Sequence, residues 1–211
     1  MSLVFYYGSG SPPAWRVWLA LEHKRIPYEA VRLSFDKEEN RTADFLKLNP
    51  RGKVPVIVHE GWALAESGAI LEYLEEVWPE IPLLPAQPTQ RAEARQKARE
   101  AELYLGEAVG RLAQLAFGSA APEPAKLQST REALAQELPR WEAALAGEWL
   151  AGELSIADFT AYPSARMLRR IGERKPQHAA DDLIGPRLAA WMARIEALPC
   201  YPATIPPHWK N

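Results

Sequence analysis

The sequence is poor in the residues that build disulfides and metal sites. Only one of its 211 residues, Cys200, is a cysteine, so neither an internal disulfide nor a cysteine-rich metal site can form. Cys200 lies in a proline-rich stretch after the last helical pattern, and we interpret it as structural. The four histidines are dispersed without the spacing of metal ligands, so no metal site is predicted.

The sequence also lacks an excess of one charge and any long apolar run. Lysine and arginine number 25 against 27 acidic residues, a net charge of −2, which offers no basic face for nucleic acid. The apolar runs are far too short to span a bilayer, and the first residues do not have the pattern of a secretory signal. We therefore predict a cytoplasmic protein that binds neither nucleic acid nor membrane.

What is present is an ordinary globular composition, 47% hydrophobic and 25% charged, divided by a proline-rich segment. Residues 79–88 contain four prolines. Proline at that density cannot continue a helix, and it stiffens the chain. We predict that this segment is a linker between a first domain, residues 1–78, and a second domain, residues 89–211.

The first domain alternates strand-like and helix-like patterns. An apolar run at residues 3–7 predicts a buried strand, and a loop of residues 8–13 leads to a helix at 14–24. The remaining pieces are predicted strands at residues 28–33, 55–58 and 62–65, and predicted helices at 42–48 and 67–78. The resulting order βαβαββα is that of a thioredoxin-like domain, with a parallel crossover followed by a hairpin.

From Thr89 onward the periodicity is helical, so the fold class is α/β followed by all-α. Helices are predicted at residues 91–117, with interruptions at Gly106 and Gly110, and at 127–146, 156–171 and 186–198. Ser155 and Asp158 have the spacing of a capping box, which we interpret as structural and not as a catalytic carboxylate.

Two segments of the first domain could bind a peptide-like ligand with charged ends. Residues 49–58, Asn-Pro-Arg-Gly-Lys-Val-Pro-Val-Ile-Val, read as a turn and a strand opened by proline. Such a strand leaves the backbone groups of Val54 directed away from their own sheet. Glu66 and Ser67 begin a helix, whose N-terminus presents unpaired N–H groups to a carboxylate. Alone, each segment is also typical of an edge turn or an ordinary helix start.

Hydroxyl groups that could contact an anion lie near the end of the first strand. Ser9 and Ser11 precede a helix N-terminus, where a hydroxyl could donate a hydrogen bond to an anion. Glycine, serine and proline are also ordinary loop residues. Tyr6 and Tyr7 are rival hydroxyls, although their place in the strand is typical of the core of a sheet.

The motifs Asn-Pro-x-Gly-Lys-Val-Pro and Glu-Ser-x-Ala-Ile resemble those of cytosolic glutathione transferases. The resemblance implies a cis bond before Pro55 and backbone hydrogen bonds between Val54 and the cysteinyl part of glutathione. Lys53 would reach the glycine carboxylate as a point charge. Ser67 and its N–H would hold the γ-glutamyl carboxylate, while Glu66 would face the ammonium group.

Residues 11–17, Ser-Pro-Pro-Ala-Trp-Arg-Val, resemble the serine-type transferases of the theta and zeta classes. In those classes a serine after the first strand hydrogen-bonds the glutathione sulfur. The zeta pattern Ser-Ser-Cys-x-x-Arg-Val matches in serine, arginine and valine, whereas Pro12 and Pro13 replace the second serine and the cysteine. This departure argues against the zeta isomerase activity. Ser11 is the predicted thiol activator, with Ser9 as a rival, and other classes use a tyrosine from the first strand.

The resemblance implies a glutathione transferase with glutathione as co-substrate, in which the thiolate attacks a small hydrophobic electrophile. Tyr104, Arg111 and Phe117 are candidate residues of the electrophile pocket, together with the segment 12–15. A non-catalytic glutathione-binding or protein-interaction module on the same fold is an alternative, as is a glutathione-dependent peroxidase or isomerase. The family forms twofold dimers, with the first domain of one subunit on the second domain of the other, so a homodimer is expected.

Overall fold

The structure, a computed structural model, describes residues 2–145 and 147–209 and divides into two compact units. The first unit contains the residues up to Leu83 together with those from Leu198 onward, and the second contains Leu84–Ala197. The C-terminal segment, which the sequence pattern placed in the second domain, thus groups with the first unit. The reason is a set of aromatic and hydrogen-bond contacts with the helix that follows the first strand.

The first unit contains a four-stranded sheet. Its strands are β1 (Leu3–Gly8), β2 (Glu29–Leu33), β3 (Val56–His59) and β4 (Trp62–Ala65). They lie in the order β2-β1-β3-β4, with β1 parallel to β2 and β3 antiparallel to both β1 and β4. Phe5 of β1 pairs with Ala30 of β2 and with Ile57 of β3. Phe5 and Ile57 are both fully buried, so the core packs against their side of the sheet.

The helices connect and cover these strands and build the second unit. In chain order they are α1 (Pro12–His23), α2 (Ala43–Leu48), α3 (Ser67–Val77), α4 (Pro88–Glu100), α5 (Glu107–Phe117), α6 (Pro124–Ala144), α7 (Ile156–Arg174), α8 (Pro186–Glu196) and α9 (Tyr201–Thr204). Short 3₁₀ turns lie at Glu39–Arg41, Pro176–His178, Asp181–Leu183 and Pro207–Trp209. The predicted order βαβαββα followed by helices is confirmed.

The beginning of α1 differs from the predicted loop at residues 8–13. Pro12 and Pro13 occupy the first two helical positions. Proline suits this place because its φ angle is already helical and its missing N–H would have no partner there. The helix therefore starts two residues earlier than its apolar pattern indicates, and Ser11 is its N-cap residue.

The start of the proline-rich segment forms hydrogen bonds with a buried ion pair of the first unit. Lys24 Nζ lies 2.7 Å from a carboxylate oxygen of Glu75 and also donates to the carbonyl oxygen of Ile81 at 2.7 Å. The N–H of Leu83 donates to both oxygens of the same carboxylate, at 2.9 and 3.0 Å. A charge pair with 1% and 14% side-chain exposure is stable only when such hydrogen bonds accompany it.

The long predicted helix at 91–117 changes its hydrogen-bond pattern in the middle without a break. A π-helical segment, Ala101–Gly106, joins α4 to α5. A Cβ atom at Gly106 would lie 2.9 Å from the carbonyl oxygen of Ala101, so a glycine permits this close approach of successive turns. The predicted interruption at Gly106 is thus this segment, whereas Gly110 lies inside regular α5.

Helix α7 begins with the predicted capping box, which is confirmed. Ser155 Oγ accepts from the N–H of Ala157 at 3.3 Å, and Asp158 accepts from the N–H of Ser155 at 2.9 Å. The fully buried Asp158 carboxylate also accepts from the N–H of Leu150 at 3.0 Å and from Nε1 of Trp191 at 2.8 Å. Burial raises the pKa of this carboxyl, and the donated hydrogen bonds act in the opposite direction. Asp158 therefore ties the start of α7 to α8 and to the preceding loop.

No helix within residues 2–145 and 147–209 combines the length and apolar character needed to cross a bilayer. Within the same ranges, histidine, cysteine and acidic side chains do not cluster in groups of three or more that could hold a metal ion.

Candidate active site

The N-terminus of α1 presents the hydroxyl of Ser11. The backbone N–H of Ser11 donates to the carbonyl oxygen of Gly8 at 3.1 Å, which closes a tight turn before the helix. The Ser11 carbonyl accepts from the N–H of Trp15 at 2.9 Å, while its hydroxyl makes no capping bond. Because Pro12 and Pro13 carry no N–H, the first two helical positions offer no backbone donor. The half-buried Ser11 hydroxyl is therefore the side-chain donor at this helix start.

The rival hydroxyl groups have other neighbours. Ser9 Oγ lies 2.6 Å from Nδ1 of His208. Tyr7 is buried, its ring stacks on that of Phe5 at 5.4 Å, and burial raises the pKa of its phenol. Tyr6 packs against the ring of Phe45 with centroids 5.8 Å apart.

The loop before β3 places Lys53 and Val54 at the N-terminal end of that strand. The Val54–Pro55 peptide bond is cis, as the family resemblance implied. Within the described residues the backbone N–H and C=O of Val54 form no hydrogen bond, so both can pair with an extended ligand. Lys53 is exposed, and its carbonyl accepts from Nδ2 of the buried Asn49 at 2.8 Å. Asn49 thus fixes the loop while the lysine ammonium stays in solvent.

The N-terminus of α3 is shaped by Glu66 and Ser67. Glu66 is exposed and has φ +66°, an uncommon conformation for a residue other than glycine. The first helical hydrogen bond runs from the N–H of Ile70 to the carbonyl of Glu66 at 2.9 Å. The N–H groups of the first turn, starting with that of the buried Ser67, are thus oriented to bind a carboxylate.

Sequence reasoning missed the role of Arg16, which it used only as part of a motif. The Arg16 side chain is 6% exposed, and its guanidinium donates a hydrogen bond to Ser67 Oγ. With its oxygen engaged as an acceptor, Ser67 keeps its own O–H proton for a ligand. An arginine inside an otherwise apolar buried helix was the available signal, because a buried charge requires polar partners. Helix α1 therefore has Ser11 at its start, and its residue Arg16 holds the Ser67 hydroxyl at the start of α3.

Three residues predicted for the electrophile pocket, Tyr104, Arg111 and Phe117, are exposed on helices of the second unit. Tyr104 is 56% exposed on the π-helical segment and Phe117 is 46% exposed at the end of α5, while Arg111 forms an exposed ion pair with Glu107 at 3.4 Å. The segment 12–15 is the first turn of α1, and Trp15 is buried within the first unit. The predicted loop at 12–15 is thus wrong because these residues are helical, while a role of this segment, Tyr104, Arg111 and Phe117 in the pocket stays a prediction.

Cys200 is half-buried, and burial raises the pKa of its thiol. Because only the thiolate is a strong nucleophile or metal ligand, this environment agrees with a structural cysteine.

Comparison with known proteins assigns the chain to a family. Residues 10–77 match the family model for the N-terminal domain of glutathione S-transferases, and residues 107–199 match that for their C-terminal domain. The chain is 32% identical to glutathione S-transferase A of Pleuronectes platessa over 98% of its own length and 92% of that protein. This protein therefore belongs to the glutathione S-transferase family, and glutathione is its co-substrate.

Two further comparisons refine the relationship. The crystal structure of a glutathione S-transferase from the Antarctic clam Laternula elliptica superposes with a TM-score of 0.86 at 30% identity, covering 100% of this chain and 95% of that one. Maleylacetoacetate isomerase of Pseudomonas aeruginosa is 44% identical over 98 residues, which is 45% of each chain. The similarity to the isomerase is therefore confined to part of the sequence.

Proposed function

We propose that this glutathione transferase conjugates the thiolate of glutathione to small hydrophobic electrophiles, with Ser11 as the thiol activator. The observation that carries the proposal is the Ser11 hydroxyl, which forms no capping bond within residues 2–145 and 147–209, at a helix N-terminus whose first two residues are prolines. Every other hydroxyl considered for this role is buried in the sheet, packed on an aromatic ring or bonded to a histidine.

Activation of the sulfur follows from the chemistry of thiols. An ordinary thiol has a pKa of about 8.5, so only a few per cent is ionised at neutral pH. A hydroxyl donor and the positive end of the α1 dipole both favour the anion and lower the pKa of the bound thiol. A decrease of about two pKa units would raise the thiolate fraction more than tenfold. The thiolate then attacks the electrophilic carbon, and the leaving group departs with the bonding electrons.

Four residues are proposed to hold the rest of glutathione. The backbone of Val54 would pair with the cysteinyl part, and Lys53 would reach the glycine carboxylate. The α3 N-terminus with Ser67 would bind the γ-glutamyl carboxylate, and Glu66 would face its ammonium group. The support is the conformation of both segments: Val54 leaves its backbone groups unpaired, and Arg16 leaves the Ser67 proton available.

Replacing Glu66 and Ser67 together by alanine is expected to abolish retention on immobilised glutathione. The double variant loses the counter-charge for the ammonium and the hydroxyl donor for the carboxylate, each a charge-assisted bond of about 1.5–3 kcal/mol. The dissociation constant, measured by calorimetry, should rise by about a hundredfold or more.

Asp44→Ala with Ser129→Ala is the control, since both residues are exposed on helices outside the proposed site. It should be retained like the unmodified protein. Full retention of the Glu66 and Ser67 variant, with circular dichroism unchanged, would show that glutathione binds elsewhere.

A glutathione-dependent isomerase is the second candidate, favoured by the 44% identity to the maleylacetoacetate isomerase of Pseudomonas aeruginosa. Pro12 and Pro13 stand where the zeta motif has serine and cysteine, which favours the transferase reading. Turnover of a panel of aryl halides, epoxides, hydroperoxides and a cis-dienoic acid, with and without glutathione, separates transferase, peroxidase and isomerase. Absence of turnover with retained glutathione binding would favour a non-catalytic module.

A homodimer in the cytoplasm is the proposed assembly and location. Exposed apolar side chains on each unit, including Trp62 at 52% exposure and Leu103 at 42%, are suited to a subunit interface. Sedimentation at micromolar concentration should give twice the mass of one chain, and Trp62→Glu should shift the population toward monomer. Lys47→Glu, an exposed change in the same unit, is the control. A monomer in the unmodified protein would contradict the dimer.

A further inference from the structure

The C-terminal segment of the first unit is seated on the beginning of α1. Trp15 Nε1 donates a hydrogen bond to Thr204 Oγ1 at 3.0 Å, and Thr204 is fully buried. The ring of Trp15 also meets that of Trp209 edge to face, with centroids 5.1 Å apart. Residues 201–209 therefore lie beside the turn that carries Ser11.

A chain of hydrogen bonds runs from this segment into that turn. Trp209 Nε1 lies 2.9 Å from His208 Nε2, and His208 Nδ1 lies 2.6 Å from Ser9 Oγ. An indole N–H can only donate, so Nε2 accepts and a neutral imidazole carries its proton on Nδ1. The Nδ1–H group of His208 then donates to Ser9 Oγ. The order of donation is thus Trp209 to His208 to Ser9.

Two glycines bring aromatic rings directly against the turn. Gly10 has φ +78°, and a Cβ atom there would lie 2.9 Å from Cε1 of His208. A Cβ atom at Gly8 would lie 2.3 Å from Cζ of Phe35. The turn therefore contacts Phe35 at its start and His208 near its end, and a side chain at Gly8 or Gly10 would have to displace these rings.

We propose that His208 is a positioning residue for the thiol activator, an inference that rests on the proposed function. By donating to Ser9 and packing on Gly10, the imidazole fixes the turn and so the direction of the Ser11 hydroxyl. A hydrogen bond weakens steeply when its geometry is poor, and small displacements of catalytic groups have large effects on rate. His208 acts through the turn and needs no contact with the reacting atoms.

The test compares four variants by kinetics with an aryl chloride and by the apparent pKa of glutathione bound to the protein. His208→Ala is expected to lower kcat about tenfold and to raise the thiol pKa, with the KM for glutathione within about twofold. His208→Asn places an N–H donor where Nδ1 lies and should recover most of kcat. Ser9→Ala removes the acceptor and should reproduce the loss. His23→Ala, which removes an imidazole at the far end of α1, is the control.

Unchanged kcat and thiol pKa in His208→Ala would overturn the inference, as would an equal loss in His208→Asn. If His208→Ala fails to fold, Ser9→Ala decides, because it breaks the same bond by deleting one hydroxyl. Ser11→Ala is measured in parallel. An unchanged thiol pKa in Ser11→Ala contradicts the proposed thiol activator, whereas an unchanged value in His208→Ala and Ser9→Ala alone contradicts only the positioning role.

Discussion

Replacement of Ser11 by alanine is expected to lower kcat by about ten- to a hundredfold at neutral pH while glutathione binds nearly as well. In the proposed mechanism the hydroxyl donates to the glutathione sulfur, which is a strong hydrogen-bond acceptor only as the thiolate. A hydrogen bond to a charged group contributes about 1.5–3 kcal/mol, and about 1.4 kcal/mol corresponds to a factor of ten in rate. The loss therefore falls on activation of the thiol and not on the affinity for glutathione.

The two prolines after Ser11 reduce the number of backbone donors that could replace its hydroxyl. At most helix starts the backbone N–H groups of the first turn could replace a missing hydroxyl as donors to an anion. Here Pro12 and Pro13 supply none at the first two positions. We therefore expect no compensation by the backbone at these two positions, which leaves the N–H of Ala14 as the first backbone donor of the helix.

The direct measurement for Ser11→Ala is the apparent pKa of bound glutathione, followed by thiolate absorbance as the pH is raised. In the unmodified protein this pKa should lie well below the ordinary value of about 8.5, and in the alanine variant it should return toward it. Ser11→Thr keeps the hydroxyl and should retain most of the activity. Full activity in Ser11→Ala, with a loss in Tyr6→Phe, would instead assign the role to a strand tyrosine.

Replacement of Asp158 by alanine is expected to lower the free energy of unfolding of the second unit by about 3–5 kcal/mol. The carboxylate accepts hydrogen bonds from three buried donors: the N–H groups of Leu150 and Ser155 and the indole N–H of Trp191. Each buried donor left without an acceptor costs about 1–3 kcal/mol, and the N–H of Ser155 is also the donor of the capping box that is lost. Relaxation and water entry reduce the sum to the stated range.

Hydrogen exchange of the α7 amides is the appropriate readout for Asp158→Ala, along with denaturant unfolding. The two compact units can unfold in separate steps. A single unfolding curve would then combine the transitions of both units. Asp158→Asn keeps one acceptor oxygen and should lose less. Asp44→Ala, at a side chain with 93% exposure, should change stability by less than about 0.5 kcal/mol. An effect of Asp158→Ala no larger than that of Asp44→Ala would contradict the structural role.

The features that were predicted correctly are those encoded over a few consecutive residues. Alternating apolar patterns gave the order of strands and helices, and the capping box at Ser155 gave the start of α7. The cis bond before Pro55 followed from a short family motif. In each case the residues that show the pattern are the same residues, or near neighbours of the residues, that form the predicted structure.

The features that were not predicted depend on contacts between distant residues. Arg16 meets Ser67 across 51 positions, and Ser9 meets His208 across 199. A sequence pattern carries no information on such partners unless the complete tertiary fold is known. The start of α1 was also missed, because its first residues are prolines whose place at a helix N-terminus depends on backbone geometry and not on apolar periodicity.

The return of residues 201–209 to the first unit has a consequence for the order of events during translation. The ribosome makes β1 and α1 early, but Thr204 and Trp209 are synthesised only after the whole of Leu84–Ala197. Until then the nascent chain has the strands of the first unit without the residues that cover Trp15 and support the turn before Ser11. We therefore expect the proposed activation of a thiol by Ser11 to become possible only late in synthesis, after the residues of the second unit have been made.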